Sequence, residues 1–509
     1  MGIFYEKAFP VAKTALKRAR FEGFTEAGTE KKGFLRATGG QNCEFSGARL
    51  SAGMGFSEYL TEGGINPHID DPDDPPRAFA LLPYTDGDGT RKKALMYVSE
   101  LGVSYIYNSV RNAFDFTMHV FDDIPAMVPV YGEDGTAKLA FCSADGIWLY
   151  DKATKMTKIY AERASTLACA FHERLFFVER PFCVRYCAPL AHTFWTDSAD
   201  EGGHVEFPSE EGEIVGLEAM NEAVYVFRER GIVRLDARGA AREFSAQAVP
   251  YGGGKILEGS IGACGEKIFF LTEDGAYAFD GKTARRIAEA SPLSLPTGRQ
   301  VCEHAAYNGK YFLRYTAENG EKKLWILDAA SERGYFSAPF VGALSETENA
   351  MLCLVGGKIC AADSAGKLPA GEEYVFETAS DFGIRGRKLW KTLILKGAGG
   401  NFAERGKVRC DSAAAKRLAA FGHGDGICRL RLNGRRKSCG NRYHILYGRT
   451  ICLDDRRTDP RGGKRTAEKE QAYGKTERKK ARGKVQAAES GRFPFGNMGK
   501  HLRRIGGKL

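Results

Sequence analysis

Residues Glu213–Asp236 read EIVGLEAMNEAVYVFRERGIVRLD, and a second stretch, Lys267–Gly281, reads KIFFLTEDGAYAFDG. Each stretch contains two short runs of β-forming residues joined by a turn that bears a glycine, and this pattern predicts a β-hairpin. Each hairpin closes on an aspartate, Asp236 in the first and Asp280 in the second, 44 residues apart. A repeat of 40–50 residues that carries several short strands is typical of a propeller blade.

The same hairpin pattern occurs seven times along the chain. One hairpin cannot bury both of its faces, so repeated sheets are expected to stack radially and cover one another. Each period also has room for outer strands, for example at Arg242–Val249 and Tyr335–Val341. The sequence therefore predicts an all-β fold, a β-propeller of about seven blades within a range of six to eight. The predicted hairpins pair Ala94–Val98 with Val103–Tyr107, Lys138–Cys142 with Ile147–Tyr150, Leu175–Val178 with Phe182–Tyr186, Ala223–Phe227 with Ile232–Leu235, Lys267–Leu271 with Ala276–Phe279, Tyr311–Tyr315 with Leu324–Leu327, and Met351–Val355 with Lys358–Ala362.

Changes in composition and in apolar periodicity along the chain predict four segments. Residues 1–56 form an N-terminal arm, in which 33–56 supply ring-closing strands because a propeller must join its two ends without a covalent bond. Residues 57–371 form the propeller, and 372–463 form a small C-terminal β-domain. Residues 464–509 form a basic tail that lacks apolar periodicity and is predicted to be disordered.

The net charge of +10 is carried by the tail, where 14 Lys and Arg face 4 Glu, so the rest of the chain is neutral. The tail is therefore the one segment with an expected, weak affinity for nucleic acid. The sequence contains no run of 18 apolar residues and no apolar core of a signal peptide, so no membrane association is expected. Its 13 cysteines are scattered, and many lie in apolar runs, which favours a reducing compartment.

Three groups of residues have the composition of metal sites, but none has the spacing of one. Cys183 and Cys187, with His172 and His192 nearby, fit no zinc pattern and are interpreted as buried strand residues. The loops Asp70–Pro76 and Thr85–Thr90 are rich in oxygen ligands, but they are read as a solvated loop and a hairpin turn, with calcium binding as the alternative. The C-terminal candidates, His423, Cys428, Cys439, His444 and Cys452, match no zinc finger or ribbon. No metal and no cofactor is predicted.

Carboxylates suited to glycan cleavage are present, but they recur at equivalent blade positions. Hydrolysis of a sugar bond needs two carboxylates in different environments. Recurrence indicates a scaffold role, because a catalytic site breaks the symmetry of the repeats. No nucleophile motif such as GxSxG or HExxH occurs, so no catalytic residue is predicted. The available carboxylates are Asp236, Asp280, Asp328, Glu273 and Asp274.

Three stretches together make the chain similar to β-propeller virion proteins of tailed bacteriophages, the family of tail nozzle, tail-tube and head–tail joint proteins. They are TFWTDSAD (Thr193–Asp200), the hairpin series around EIVGL and DGAYAFDG, and SDFG (Ser380–Gly383) followed by RKLWKTLIL. This resemblance spans about residues 90–460. It implies a non-enzymatic structural or adaptor role in a virion or prophage tail, with other virion proteins as partners and a homo-oligomeric ring as an option. It also implies a location in the virion or the host cytoplasm.

Two alternatives stay open at this stage. One is a peptide- or glycan-binding propeller outside any virion, and the other is a propeller enzyme that cleaves glycans. Neither has a residue signature in the chain.

Overall fold

The structure is a computed structural model, and the residues that it describes fall within the unit Met1–Asp455. Among these residues the only helices are two short 3-10 turns, Ser209–Glu211 and Ala241–Glu243, and no helix is long and apolar enough to cross a membrane. The described residues are 20–24, 34–37, 39–46, 49–61, 63–69, 71–85, 88–152, 155–287, 302–316, 320–337, 341–347, 350–363 and eight strands between 374 and 447.

Six short strands precede the first blade. β1 and β2 pair in parallel, and β4 and β5 form a small antiparallel hairpin. β3 and β6 instead join sheets built by later parts of the chain. The six strands are β1 (Arg20–Phe24), β2 (Phe34–Ala37), β3 (Gly39–Gln41), β4 (Cys43–Ser46), β5 (Arg49–Ala52) and β6 (Gly55–Glu58).

Seven sets of four antiparallel strands follow, and they are the blades of a β-propeller. Six of them are separate four-stranded sheets, and the strands of blade 6 are part of an eight-stranded sheet. All seven predicted hairpins are confirmed as the second and third strands of successive blades. The strands of blades 1–3 are β7 (Pro76–Thr85), β8 (Arg91–Ser99), β9 (Val103–Asn108), β10 (Ala113–Val120); β11 (Ala126–Tyr131), β12 (Ala137–Ser143), β13 (Gly146–Asp151), β14 (Lys155–Tyr160); β15 (Ala168–Phe171), β16 (Arg174–Arg180), β17 (Cys183–Tyr186) and β18 (Gly203–Glu206).

Blades 4–7 repeat this order, except that blade 7 takes its fourth strand from β6. Their strands are β19 (Ile214–Met220), β20 (Ala223–Arg228), β21 (Gly231–Asp236), β22 (Ser245–Val249); β23 (Gly262–Cys264), β24 (Lys267–Thr272), β25 (Gly275–Phe279), β26 (Ala284–Arg286); β27 (Glu303–Tyr307), β28 (Lys310–Thr316), β29 (Lys322–Asp328), β30 (Arg333–Ser337); β31 (Gly342–Thr347), β32 (Ala350–Val355) and β33 (Lys358–Asp363).

The core lies between neighbouring blades and is filled mainly by the second and third strands. Phe227 of blade 4, for example, packs edge-to-face against Phe270 and Phe279 of blade 5, with ring centroids 5.4 and 6.1 Å apart. All three rings are almost fully buried. Each buried phenylalanine contributes roughly 1.5–3 kcal/mol of hydrophobic free energy. The middle strands therefore hold the ring together, and the first strand of each blade contacts first strands of neighbouring blades around a central channel.

The ring is closed by β6, which pairs antiparallel with β33. Phe56 stands opposite Ala362, and Glu58 forms an ion pair with Lys358. The closing strand extends across the predicted boundary at residue 56. The earlier strands of the arm lie outside blade 7. β4 is connected to blade 6 by Glu44, which forms an ion pair with the half-buried Lys310.

A C-terminal set of strands continues the sheet of blade 6 outward, in the order β30, β3, β34, β41, β37. The N-terminal strand β3 stands between the propeller and the C-terminal strands, because it pairs with β30 on one side and with β34 on the other. The segment predicted as a small separate β-domain thus shares a sheet with a blade. The C-terminal strands are β34 (Tyr374–Ser380), β35 (Lys388–Leu389), β36 (Thr392–Lys396), β37 (Lys407–Cys410), β38 (Ala420–Phe421), β39 (Ile427–Arg431), β40 (Arg435–Arg436) and β41 (Asn441–Tyr447).

Candidate functional site in the propeller channel

The first strand of each blade has no partner on its inner side, so its edge needs other hydrogen-bond partners. Two polar side chains of blade 7 supply them to neighbouring blades. The hydroxyl of Ser345 accepts a hydrogen bond from the Phe79 N–H of blade 1 at 2.8 Å. The Glu346 carboxylate accepts one from the Ala306 N–H of blade 6 at 2.9 Å. Carboxylate and hydroxyl groups on the first strands therefore satisfy part of the inner edge.

The most polar part of the channel combines Glu218 of blade 4, His304 of blade 6 and Glu346 of blade 7, called here the channel cluster. His304 Nδ1 lies 3.0 Å from the carbonyl oxygen of Gly259. Because a carbonyl only accepts, Nδ1 carries a proton and donates it. His304 Nε2 lies 3.6 Å from Glu218 Oε1, an ion-pair contact that is too long for a direct hydrogen bond.

His304 reaches Glu218 by lying over blade 5, whose first strand, β23, is only three residues long. Gly262 in β23 makes this approach feasible, because an added Cβ there would clash with the imidazole ring. A residue of blade 6 thereby contacts a residue of blade 4 across the intervening blade. The small residue in β23 is needed for the contact and not for backbone conformation.

The pKa values of two members of the channel cluster are shifted by their surroundings. Burial opposes protonation of His304, but the Glu218 carboxylate, the Gly259 carbonyl and Glu346 outweigh it and raise the imidazole pKa. The pKa of Glu346 is also raised, mainly because the channel removes hydration, with the nearby Glu218 carboxylate adding repulsion. The raised pKa of His304 means that the neighbouring carboxylates favour the protonated imidazole. The cluster can therefore hold a proton on His304.

A second ionic group lies beside the first and contains two guanidinium groups and one carboxylate. Glu303 of blade 6 accepts from Arg77 of blade 1 at 2.9 Å and also pairs with Arg314. Arg314 in addition donates to the Val341 carbonyl at 3.2 Å. These side chains are partly buried, and both guanidinium groups face one carboxylate. This group therefore has one positive charge more than Glu303 neutralises.

The recurring aspartates of the sequence lie where the third strands end, and each has local partners. Asp236 pairs with Arg234 at 2.7 Å. Asp280 accepts from the backbone N–H groups of Lys282 and Thr283. Asp328 pairs with Lys310 at 2.9 Å and binds the Ser331 N–H. Glu273 and Asp274 lie in the β24–β25 turn, where the Asp274 N–H donates to the Thr272 hydroxyl.

The cysteines and histidines of blade 3 are dispersed in the structure. Cys187 Sγ accepts a hydrogen bond from the Leu175 N–H at 3.1 Å, and burial raises the pKa of its thiol to about 12. Cys183 contacts Glu179 and is itself buried. His172 is a surface residue of the β15–β16 turn with positive φ. Throughout the described ranges, no three His, Cys, Asp or Glu side chains are placed to hold a metal ion.

Asp71 and Asp74 of the acidic loop act as local hydrogen-bond acceptors. Asp71 accepts from the Asp73 N–H, and Asp74 accepts from the Leu101 N–H, both at 2.9 Å. Asp70 and Asp86 lie outside the described residues, as do the side chains of the C-terminal candidates, which are His423, Cys428, Cys439, His444 and Cys452.

The stretch Thr193–Asp200 lies in the long connection between β17 and β18. Trp195 is buried, and its indole N–H donates to the Ile159 carbonyl of blade 2 at 3.1 Å. The Trp195 carbonyl accepts from Arg185 at 3.0 Å, and Arg185 also pairs with the buried Glu179 at 2.5 Å. This stretch therefore fastens blade 2 to blade 3.

Exposed apolar side chains concentrate on blade 1. Four of the eight large apolar residues found exposed in the described chain belong to it, and two more lie in the loop that precedes it. Phe116 and Val120 lie on the outer strand β10, whose far edge is unpaired within the described sheet. The residues on blade 1 are Leu101, Val110, Phe116 and Val120, and those in the loop are Leu60 and Ile65.

The channel cluster was absent from the predicted sites, because its members are far apart in sequence and only the ring brings them together. The one sequence signal is a charged residue in a first strand, as in EHAAY at Glu303–Tyr307 and GALSET at Gly342–Thr347. This signal becomes visible only after the blades have been assigned.

No protein-family model matches the chain, and no curated protein matches it. Among solved structures, the WD40 repeats of RRP9 are 11% identical, covering 60% of this chain and 99% of that chain with a TM-score of 0.39. The propeller domain of Myceliophteria thermophila Cps50 (Swd1) is 12% identical, covering 60% of this chain and 99% of that chain with a TM-score of 0.37. The selenomethionine-substituted virginiamycin B lyase from Staphylococcus aureus is 13% identical, covering 61% of this chain and 99% of that chain with a TM-score of 0.36.

These similarities are too distant to bear on what the chain binds or does. The class of the protein follows instead from its own sheets: it is a seven-bladed β-propeller whose last blade is completed by an N-terminal strand.

Proposed function

We propose that this chain is a non-enzymatic scaffold of a tailed-phage virion, a propeller that binds neighbouring tail or head–tail proteins. The observation that carries the proposal is the pair of exposed apolar side chains on the outer strand of blade 1, Phe116 and Val120, with Leu101 and Val110 exposed in the turns at the two ends of β9. Exposed apolar groups favour protein association, because covering them removes them from water. The rigid ring behind them favours binding without rearrangement.

The phage assignment rests on the sequence resemblance. Three stretches support this resemblance. Of these, Thr193–Asp200 connects blade 2 to blade 3, and the hairpin series forms blades 4 and 5. A non-enzymatic role is supported by the local partners of Asp236, Asp280 and Asp328, which act at strand ends and turns.

The direct test is the composition of purified particles. Prophages of the source cells are induced, particles are banded by density, and the proteins are identified by mass spectrometry. The chain is expected in particles that contain DNA, and gold-labelled antibody against the propeller is expected at the tail or its joint. Absence of the chain from every particle fraction would refute the virion role and favour a propeller that acts in the cell.

The proposed surface is tested by complementing a phage that lacks the gene. The double variant Phe116→Ser with Val120→Ser is expected to lower the yield of infectious particles by about tenfold or more, since interface centres dominate binding. Tyr131→Ser is the matched control, because Tyr131 is equally exposed but lies on blade 2. Thermal melting of the purified variants verifies that both remain folded. Equal yields from the two variants would exclude blade 1 as the assembly surface.

A further inference from the structure

We propose that the outer strand of blade 1, β10, pairs edge to edge and antiparallel with β10 of a second copy of this chain, which gives a dimer with two-fold symmetry. The outer strand of a sheet presents backbone N–H and C=O groups along its far edge, and a strand of another chain can add to them. The inference rests on the proposed function only for this surface, to which it gives a partner. It holds whether or not the chain belongs to a virion.

β10 differs from the outer strands of the other blades. It has eight residues, and no described strand lies along its far edge. In blade 6 the corresponding edge is covered by β3, so this fold does extend a blade by an added strand. The remaining outer strands are shorter and polar or charged, and such edges resist pairing with other chains. They are β14 with Lys155 and Lys158, β18 with Glu206, the exposed β22 with Ser245 and Gln247, β26 with Arg285 and Arg286, and β6 with Glu58.

A row of aromatic rings crosses blade 1 and ends at this edge. Each ring stands opposite the next on a neighbouring strand, and successive ring centroids are 6.3, 4.8 and 6.4 Å apart. The first two rings are buried, whereas the last, Phe116, is exposed. A two-fold axis near Phe116 brings the two copies of this ring together and joins both rows. The row consists of Phe79, Tyr97, Tyr105 and Phe116, on β7, β8, β9 and β10.

The charges at the two ends of β10 favour a second copy in the antiparallel orientation. Arg111 lies in the turn before β10, and its side chain is 65% exposed although it pairs with Asp115. The exposed Asp122 follows the opposite end of the strand. Antiparallel pairing places Arg111 of each copy beside Asp122 of the other, whereas parallel pairing would oppose like charges. The edge is therefore complementary to itself.

The test is sedimentation equilibrium of the full chain at low salt. The register of β10 on β9 shifts between Phe116 and Val120, so regular pairing covers few residues and the interface is small. Small interfaces associate weakly and reversibly. The wild type is therefore expected to change from monomer to dimer between about 1 and 200 µM, a range that covers micromolar dissociation constants. Phe116→Lys is expected to raise the dissociation constant about tenfold or more, because the axis brings two like charges together.

Tyr131→Lys is the matched control for Phe116→Lys. Tyr131 is similarly exposed but lies on blade 2, so this variant is expected to dimerise as the wild type does. A wild type that stays monomeric at every concentration would assign the edge to a different protein and overturn the inference. Equal dimerisation of the two lysine variants would overturn it as well, since the contact would then lie away from β10.

A charge exchange tests the pairing of Arg111 with Asp122. Arg111→Asp and Asp122→Arg each put like charges across the interface, so each variant alone is expected to dimerise about tenfold more weakly than the wild type. An equal mixture of the two is expected to form a heterodimer as stable as the wild-type dimer, because opposite charges then meet at both ends. A mixture that stays monomeric would overturn the antiparallel pairing. These measurements use purified protein, so their outcome is separate from the presence of the chain in particles, which tests the proposed function.

Discussion

His192 lies in the long connection between β17 and β18 and is only 4% exposed. Burial lowers the pKa of its imidazole from 6.5 to about 4, and Lys138 adds charge repulsion. The folded chain therefore takes up this proton less readily than the unfolded chain. The stability that depends on a neutral His192 is present above pH 6.5 and is lost as pH falls from 6.5 towards 4.

We expect the wild-type chain to lose roughly 2 kcal/mol more stability than His192→Asn between pH 7 and pH 4.5, because only the wild type must protonate this buried ring. Urea unfolding at several pH values measures the difference. His68→Asn is the control, because it removes an imidazole that is exposed in the folded chain. Parallel curves for the wild type and His192→Asn would show that the ring is hydrated in the folded chain.

Single residues also mark the limit of what the sequence predicts about the site. Asp236 and Asp280 are visible in the sequence because an aspartate recurs at the same position of successive hairpins. This recurrence follows from their common position at the ends of third strands. Glu218, His304 and Glu346 do not repeat, and 42 or more residues separate each from the next. Nothing local indicates that they meet, since their proximity depends on the closed ring and on the short strand β23.

The strands that close the ring meet at the junction of blades 6 and 7. The chain leaves the hairpin β4–β5, passes Tyr335 of blade 6 and enters β6 of blade 7. The Met54 N–H donates to the Tyr335 hydroxyl at 2.6 Å. Gly53 lies against the same ring, where an added Cβ would be 2.5 Å from a ring carbon. This crossing therefore has no space for a side chain.

Gly53→Ala is expected to destabilise the chain by about 1–3 kcal/mol, the usual cost of overpacking. Gly63→Ala is the matched control, since its added Cβ meets no atom closer than 3.9 Å. It should change stability by no more than about 0.5 kcal/mol. Urea unfolding compares the two variants. If the two alanine variants unfold at the same urea concentration, the arm does not pass beside Tyr335.

The sequence predicts the middle strands well and the first strands poorly. Hairpins such as β20–β21 combine β-forming residues with a tight turn, and both signals are local. The first strands β15 and β23 are short and rich in Ala, Cys and Gly, so they lack a strand signature. They are recognised as strands only through their pairing with β16 and β24.

For the chain as a whole, the net charge is confined to one segment at its end. The 463 residues before Lys464 are neutral, and 464–509, which lie outside the described residues, carry the whole net charge. Lys and Arg bind DNA by releasing counterions from phosphates, so their binding depends steeply on salt and little on sequence. A propeller near packaged DNA would thus contact it through this segment.

We expect the full chain to retard duplex DNA in gel-shift assays at about 50 mM salt and to release it by about 200 mM. A chain ending at Gly463 should melt at the same temperature and bind no DNA. Equal DNA binding by both chains would move the contact to the propeller. Unfolding of the shorter chain would instead show that 464–509 belong to the fold.

Closure by β6 also sets the order of events during synthesis. The partner strand β33 lies about 300 residues downstream, so at roughly 5–20 residues per second β6 waits between 15 and 60 seconds on the ribosome. Blades 1–6 can form in that interval, but blade 7 cannot. A translational pause before Lys358 therefore lengthens the life of an open ring, and the synthesis of β33 decides when the waiting edge of β6 becomes safe from aggregation.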